Sequence, residues 1–265
     1  MLKIMSFSDE KILPESISYI FDELERNGIF YWLDAGTLLK GVRDRTILTS
    51  SDIDIAVHSD EVDNVLKSLV SIKEKGYRIQ YNGGYPMLED LVTIFLPCSV
   101  NRISSIDIYI YHRYNDSFIR RSYHKPLANS KLRYLFYLSK KIIDSSNFNS
   151  KQGKNMSFSS IRIATKFLVG RIIFYLYEQL GKTLWYVVPK QYFLDFIPLQ
   201  LYSRSFNIPK QYKKYLRFRY GDSWKKPSNR SEWLLTWKKE KNNILTSKRL
   251  SELTSIKKYW IDKCI

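Results

Sequence analysis

Two aspartates one residue apart, Asp52 and Asp54, flanked by Ile53 and Ile55, are the residues of this 265-residue sequence best suited to chemistry. A strand alternates its side chains with period 2. A strand over 52–57 therefore puts both carboxylates on one face and Ile53, Ile55 and Val57 on the other. Two carboxylates held on one face repel. A divalent cation relieves the repulsion, and hard cations such as Mg2+ prefer carboxylate oxygens and substrate phosphates. Roughly fifteen residues upstream lies a small-residue turn, Ala35-Gly36-Thr37. Glycine there tolerates positive φ and lets backbone N–H groups approach an anion. Downstream, Ser105 to Tyr111 (SIDIYIY) also alternates, with Ile106, Ile108 and Ile110 on one face and Asp107, Tyr109 and Tyr111 on the other. Asp107 is the candidate for a third metal carboxylate; the plain alternative is a surface aspartate on an edge strand.

The elements that must position these groups follow from periodicity and punctuation. Residues 14–28 have apolar positions at Ile17, Ile20, Phe21 and Leu24, a helical spacing with a proline start and a glycine stop. Residues 29–33 read as the first strand. A short helix follows over 36–43, with Leu38, Leu39 and Val42 inward. Residues 59–75 read as a helix capped by Ser59, with acidic residues in its first turn. Strands over 77–81 and 91–95 flank an Asn82-Gly83-Gly84 turn. Beyond Pro126 the character changes to helix and positive charge, with helical patterns over 131–143 and 159–181. The second of these is expected to be a buried core helix rather than an interfacial membrane helix. The Lys-rich, Trp-containing stretch 228–265 reads as helices packed on the domain or facing a partner. The fold class expected is α/β: a small mixed sheet flanked by helices, with a C-terminal helical region.

Composition bounds the rest. A hydrophobic content of 44% supports a sizeable core. The two cysteines, Cys98 and Cys264, have no metal-ligand spacing, and nothing argues for an oxidising compartment. The N-terminus lacks an uninterrupted apolar stretch and reads as carrying no signal peptide, and no run is long enough for a membrane span. Charge is uneven. Residues 1–125 hold 15 Lys and Arg against 18 Asp and Glu, a net −3, while residues 126–265 hold 28 against 8, a net +20. This divides the chain into a catalytic core over 1–125 and a basic part over 126–265, expected to form one continuous unit. The basic half is either solvated surface lysine or an attraction for an anionic partner. The histidines His58, His112 and His124 lack metal-ligand spacing, and neither a nucleophile elbow nor a Walker loop occurs.

A Gly-Thr turn followed by Asp-x-Asp resembles the nucleotidyltransferase superfamily. The fuller string, WLDAGTLLKGVRD then SDIDI, resembles its LicD/fukutin family. A second family signature lies downstream in Pro209 to Leu216 (PKQYKKYL) and Tyr220 to Pro227 (YGDSWKKP). The resemblance covers roughly residues 13–227 and is strong in these two blocks. The chain departs from the family at Lys40-Gly41, where Gly-Ala is usual, and at Leu48-Thr49-Ser50, where Pro-Trp-Asp is usual. Ser50 thus stands in place of the family's first aspartate.

The resemblance implies a metal-dependent phosphotransferase of nucleotidyltransferase type. It would move phosphocholine or an alditol phosphate such as ribitol phosphate from a CDP-linked donor to a glycan or lipid-linked glycan hydroxyl, as in cell-surface polysaccharide assembly. Asp52, Asp54 and Asp107 would hold Mg2+ or Mn2+ and form the catalytic centre. Gly36 and Thr37 would cradle a phosphate, with Lys40 and Arg43 neutralising it. Tyr220, Gly221, Asp222 and Trp224 would fold back to the substrate cleft. The expected location is cytoplasmic, peripheral at the inner face of the membrane, with the basic half on anionic lipid. Two rivals stand beside this reading: an ordinary nucleotidyltransferase adding NMP to a small molecule, protein or RNA, and a nucleic-acid-binding protein with a degenerate site.

Overall fold

The computed structural model describes residues 12–81, 90–100, 102–121, 165, 168–170, 172–173, 184–227 and 244–246. The chain divides into two compact units. The first comprises Met1–Gly83, Glu89–Arg120 and Tyr186–Ile244, and the second Gly84–Leu88, Arg121–Trp185 and Leu245–Ile265. The division at 125 is therefore one of charge, while packing divides the chain differently: residues 186–227 belong to the same unit as the N-terminal elements. The expected Asn82-Gly83-Gly84 turn, the 131–143 helix, His124 and all but 244–246 of the 228–265 stretch lie outside the described residues.

The first unit is a mixed α/β structure, with a mixed sheet flanked by helices. Its elements begin with α1 (Glu15–Arg26), β1 (Tyr31–Leu33), α2 (Ala35–Arg43), β2 (Asp52–His58), α3 (Val62–Glu74), β3 (Arg78–Tyr81), β4 (Leu91–Val100), β5 (Ile103–Tyr114) and β6 (Ser117–Arg121). They continue with β7 (Leu184–Pro189), β8 (Phe196–Leu201), β9 (Arg204–Pro209) and a fourth helix, α4 (Tyr212–Tyr220). The sheet runs β1-β2-β5-β6-β7, with β4 on β5 and β3 on β4. β1 is antiparallel to β2 and β2 is parallel to β5, while β4 and β6 pair with β5 antiparallel.

The alternation read from sequence sets the core. Ile53, Ile55, Val57, Ile106, Ile108 and Ile110 are all buried. The apolar stripe of α1 (Ile17, Ile20, Phe21, Leu24) and that of α3 (Val65, Leu69, Ile72) are buried too, where the two helices meet. Ser59 does not cap α3. Residues Ser59–Glu61 form a 3-10 turn, and the helix starts at Val62 with no side-chain cap bond.

The described part of 184–227 is not mainly helical: it contributes three strands before α4. β8 and β9 form a hairpin whose two-residue loop, Tyr202-Ser203, has both residues at positive φ (55° and 57°). That is the twist-matched hairpin geometry usually supplied by Asn-Gly. The Tyr202 hydroxyl helps hold the loop, meeting Thr46 Oγ1 at 2.6 Å and accepting from the Ile47 N–H at 3.0 Å. Asn207 donates to the Tyr31 carbonyl at 3.0 Å, and Phe206 meets Phe21 edge-on at 5.2 Å. Arg204 pairs with Asp22 and with Glu25. In the second unit, Leu168, Val169 and Ile172 of the expected core helix are exposed. Among the described residues no helix is long and apolar enough to cross a membrane.

Candidate metal centre

The parallel pairing of β2 with β5 sets Asp54 opposite Asp107 and Asp52 opposite Ser105. Because both strands place their aspartates on the same face, one carboxylate oxygen from each of Asp52, Asp54 and Asp107 falls within 4.8 Å of the others. Three hard oxygen donors at this separation fit a divalent cation of the Mg2+ or Mn2+ kind. Asp54 is the buried member, and its carboxyl is pushed up to about 8 by burial and by the charges of Asp52 and Asp107. Arg219 opposes that rise. The electrostatics therefore favour either a proton or a cation among these three groups.

The turn between β1 and α2 grips Asp54. The Asp34 N–H donates to the Asp54 carbonyl at 3.1 Å, and the Asp54 N–H donates to Thr37 Oγ1 at 2.7 Å. The Gly36 N–H donates to Asp54 Oδ2 at 3.2 Å. Gly36 and Thr37 thus meet Asp54, the buried member of the candidate metal triad. The positive φ expected of Gly36 belongs instead to Ala35, at 47°. Such a conformation costs a non-glycine residue about 1–3 kcal/mol and persists where its surroundings enforce it. What Gly36 supplies is closeness: a Cβ there would sit 3.4 Å from Asp54 Oδ2.

Lys40 and Arg43 lie on α2 as expected, and both have protein partners. Lys40 Nζ donates to the Thr49 carbonyl at 3.1 Å and to Ser50 Oγ at 2.9 Å. Lys40 and Ser50, two positions where the sequence departs from the LicD pattern it resembles, are therefore in contact. Arg43 grips Asp44 through two bonds, at 2.7 and 2.8 Å, and its Nη1 donates to the Trp224 carbonyl at 3.4 Å. The two sequence blocks thus meet at Arg43 and Trp224.

From the second block, Tyr220 is near enough to Asp54 for that carboxylate to raise its hydroxyl pKa; burial raises it most, and Arg219 opposes. Gly221 ends α4 at φ 88°, ψ −176°, so its freedom is used, in an extended rather than a left-handed helical cap. Trp224 is buried. Asp222 is exposed and pairs with Arg217 at 2.9 Å, which offsets its poor placement at a helix C-terminus.

Sequence reasoning did not single out Asp34. Its carboxylate is wholly buried and accepts from the hydroxyls of Tyr111 at 2.8 Å and Tyr215 at 2.6 Å. Arg219 Nη1 lies 3.7 Å from the same carboxylate and donates to the Tyr215 hydroxyl at 3.0 Å. The buried Arg120 donates to the Tyr111 hydroxyl at 3.3 Å and stacks over Tyr109 at 4.2 Å. Asp34 directly precedes the Ala35-Gly36-Thr37 turn, and Tyr111 shares a face with Asp107; those were the available signals. The two described histidines, His58 and His112, serve the core. His58 packs against Trp32 and Phe118, and burial pulls it down to about 4. His112 lies 3.4 Å from Asp90, with both side chains buried.

No family model matches the chain. Two uncharacterised rickettsial proteins are similar to part of it. That of Rickettsia typhi is 33% identical over 102 residues, 38% of this chain and 28% of its own length. That of Rickettsia prowazekii is 30% identical over 98 residues, 36% of this chain and 32% of its own length. The match thus spans about a third of these relatives. Among solved structures, the lincomycin-bound lincosamide antibiotic adenylyltransferase LnuA is similar at a TM-score of 0.28 and 14% identity, covering 59% of this chain and 97% of that one. The antibiotic-resistance factor ANT(2'')-Ia is similar at 0.29 and 11%, covering 62% and 92%.

Proposed function

We propose that this chain is a divalent-cation-dependent transferase that moves a phospho-substituent from a CDP-linked donor to a glycan hydroxyl. The observation that supports it is the convergence of Asp52, Asp54 and Asp107 within 4.8 Å on one sheet face. The contact of Arg43 with Trp224 adds to it by bringing the two LicD-like sequence blocks together. When bound there, the cation would supply charge neutralisation for the phosphoryl oxygens in the transition state. Asp52, Asp54 and Asp107 would hold it, and the bonds of Asp54 to Asp34, Gly36 and Thr37 would keep one of these carboxylates fixed. The acceptor oxygen attacks phosphorus, CMP leaves, and the hydroxyl proton passes to a carboxylate of the site. Lys40 and Arg43 line the donor side.

The outer face of α4 serves the acceptor. Lys213, Lys214 and Arg217 are exposed there, with Lys225 and Lys226 just beyond, while Tyr215, Leu216 and Arg219 face inward. This basic face would attract a lipid-linked glycan at an anionic membrane.

A second reading, transfer of NMP from an ordinary nucleoside triphosphate, draws on the same triad. One assay separates them. The protein is incubated with Mg2+ and CDP-choline, CDP-ribitol, CDP-glycerol or ordinary NTPs, and release of CMP is read against release of pyrophosphate. CMP release that is lost in Asp52→Asn supports the proposal, and pyrophosphate release supports the second reading. Neither product, from a chain that also binds no divalent cation, overturns both.

A further inference from the structure

We infer that Asp34 is a positioning residue for Asp54, and that Tyr215, from the far end of the chain, sets the metal affinity of the site through it. The inference rests on the metal-centre reading above. Asp34 occupies the N-cap place of α2, where an aspartate ordinarily turns its carboxylate onto the first helical N–H groups. Here no side-chain cap bond forms. The carboxylate is spent instead on the hydroxyls of Tyr111 and Tyr215, with the Arg219 guanidinium beside it.

The backbone of the same residue is bonded to Asp54, and within the next three residues Gly36 and Thr37 make two more bonds to it. Between these contacts the chain passes through Ala35 in the left-handed region, a shape an alanine does not hold by itself. The gripped carboxylate of Asp34 is what holds that turn. Displacing it would displace the Gly36 N–H and the Asp54 oxygen it bonds. Tyr111 adds a second tie, because it lies on β5 with Asp107, so one hydroxyl links the turn to the other ligand-bearing strand. Groups that orient metal-ligating carboxylates typically alter affinity 10–100-fold when removed.

The test is Mn2+ binding to the purified full chain, followed by electron paramagnetic resonance, beside thermal unfolding in EDTA. Tyr215→Phe deletes one oxygen and keeps the ring against Phe193 and Tyr192. Its Mn2+ dissociation constant is expected to rise about tenfold or more. Asp34→Asn should lose at least as much. Tyr111→Phe, which removes the other hydroxyl, gives the same reading should Tyr215→Phe not fold. Tyr77→Phe is the control. It loses a single tyrosine hydroxyl bond, to the Ser16 carbonyl at 2.9 Å, and should keep wild-type Mn2+ affinity. Unchanged affinity in Tyr215→Phe, whatever its melting temperature, overturns the inference. So does an equal loss in Tyr77→Phe, which would make the effect one of general destabilisation. A wild-type chain that binds no Mn2+ overturns the metal centre as well; binding that is lost in Asp52→Asn but kept in Tyr215→Phe overturns the positioning role alone.

Discussion

Replacing Asp54 by asparagine should stabilise the metal-free protein, and by an amount that grows with pH. The carboxyl of Asp54 is pushed from an ordinary 3.8 up to about 8 by burial first and by Asp52 and Asp107 next. Between those two values the folded state holds a proton that the unfolded state has released. Stability of the wild type therefore falls as pH rises through this window. Below 3.8 both states are protonated and no penalty exists; above about 8 the penalty is complete. At about 1.4 kcal/mol per unit, the full penalty is several kcal/mol. For a chain of this size each kcal/mol moves the melting temperature by about 2–4 °C. Asparagine carries no charge, and its side-chain oxygen can still accept from the Gly36 N–H. In EDTA the melting temperatures of Asp54→Asn and wild type should nearly coincide close to pH 4 and separate by about 10 °C near pH 9. With saturating Mg2+ the order should reverse, because only the wild type gains binding energy. A difference that does not change with pH would refute the reasoning, since a merely better-packed side chain has no proton to release.

The same titration predicts that Mg2+ binding at pH 7 releases a proton from Asp54; calorimetry in two buffers of different ionisation enthalpy checks it, and equal heats would count against it. Asp34→Ala strands the buried Arg219 and two tyrosine hydroxyls, and should cost about 3–5 kcal/mol in urea unfolding; a loss below about 1 kcal/mol would remove the hub from the account. Asp222→Ala breaks an exposed pair with Arg217 and should leave the melting temperature unchanged. Turnover in that variant should fall strongly if Asp222 serves the acceptor, and full turnover would make it plain surface. Binding to anionic liposomes should weaken as salt rises, because exposed charges are screened over about 10 Å at 0.1 M; salt-independent or absent binding would return the lysines to solubilising surface.

The triad was legible because it is written in strand alternation. Asp52, Asp54 and Asp107 needed only a period of 2 and a shared face, and the parallel register of β2 and β5 did the rest. The hairpin of β8 and β9 was illegible for the opposite reason. Its turn is Tyr202-Ser203, without the glycine or asparagine that marks such loops, and its geometry is held partly by bonds from Tyr202 to Thr46 and Ile47, more than 150 residues away. Asp34 was not singled out, because nothing local distinguishes it beyond its place before the Ala35-Gly36-Thr37 turn. Only tertiary structure shows that Tyr111 and Tyr215 claim its oxygens. Arg43 and Lys40 were correctly seen as cations on α2, but the neighbours that engage them, Asp44, Trp224 and Ser50, depend on how the chain returns.

The bond from Tyr215 to Asp34 joins positions 181 residues apart, which gives the site an order of assembly. Strands β2 and β5 are complete once the chain has been made as far as Tyr114; Tyr215 follows about a hundred residues later. At ribosomal rates of about 5–20 residues per second that interval is on the order of 5–20 s. Throughout it the nascent chain holds three neighbouring aspartates with nothing from α4 to brace the strained turn at Ala35. Contacts of such separation also form slowly once the chain is free. On the metal-centre proposal, tight cation binding would wait until Tyr215 has been made, and a chain truncated before Tyr215 would carry the whole triad yet bind cation weakly.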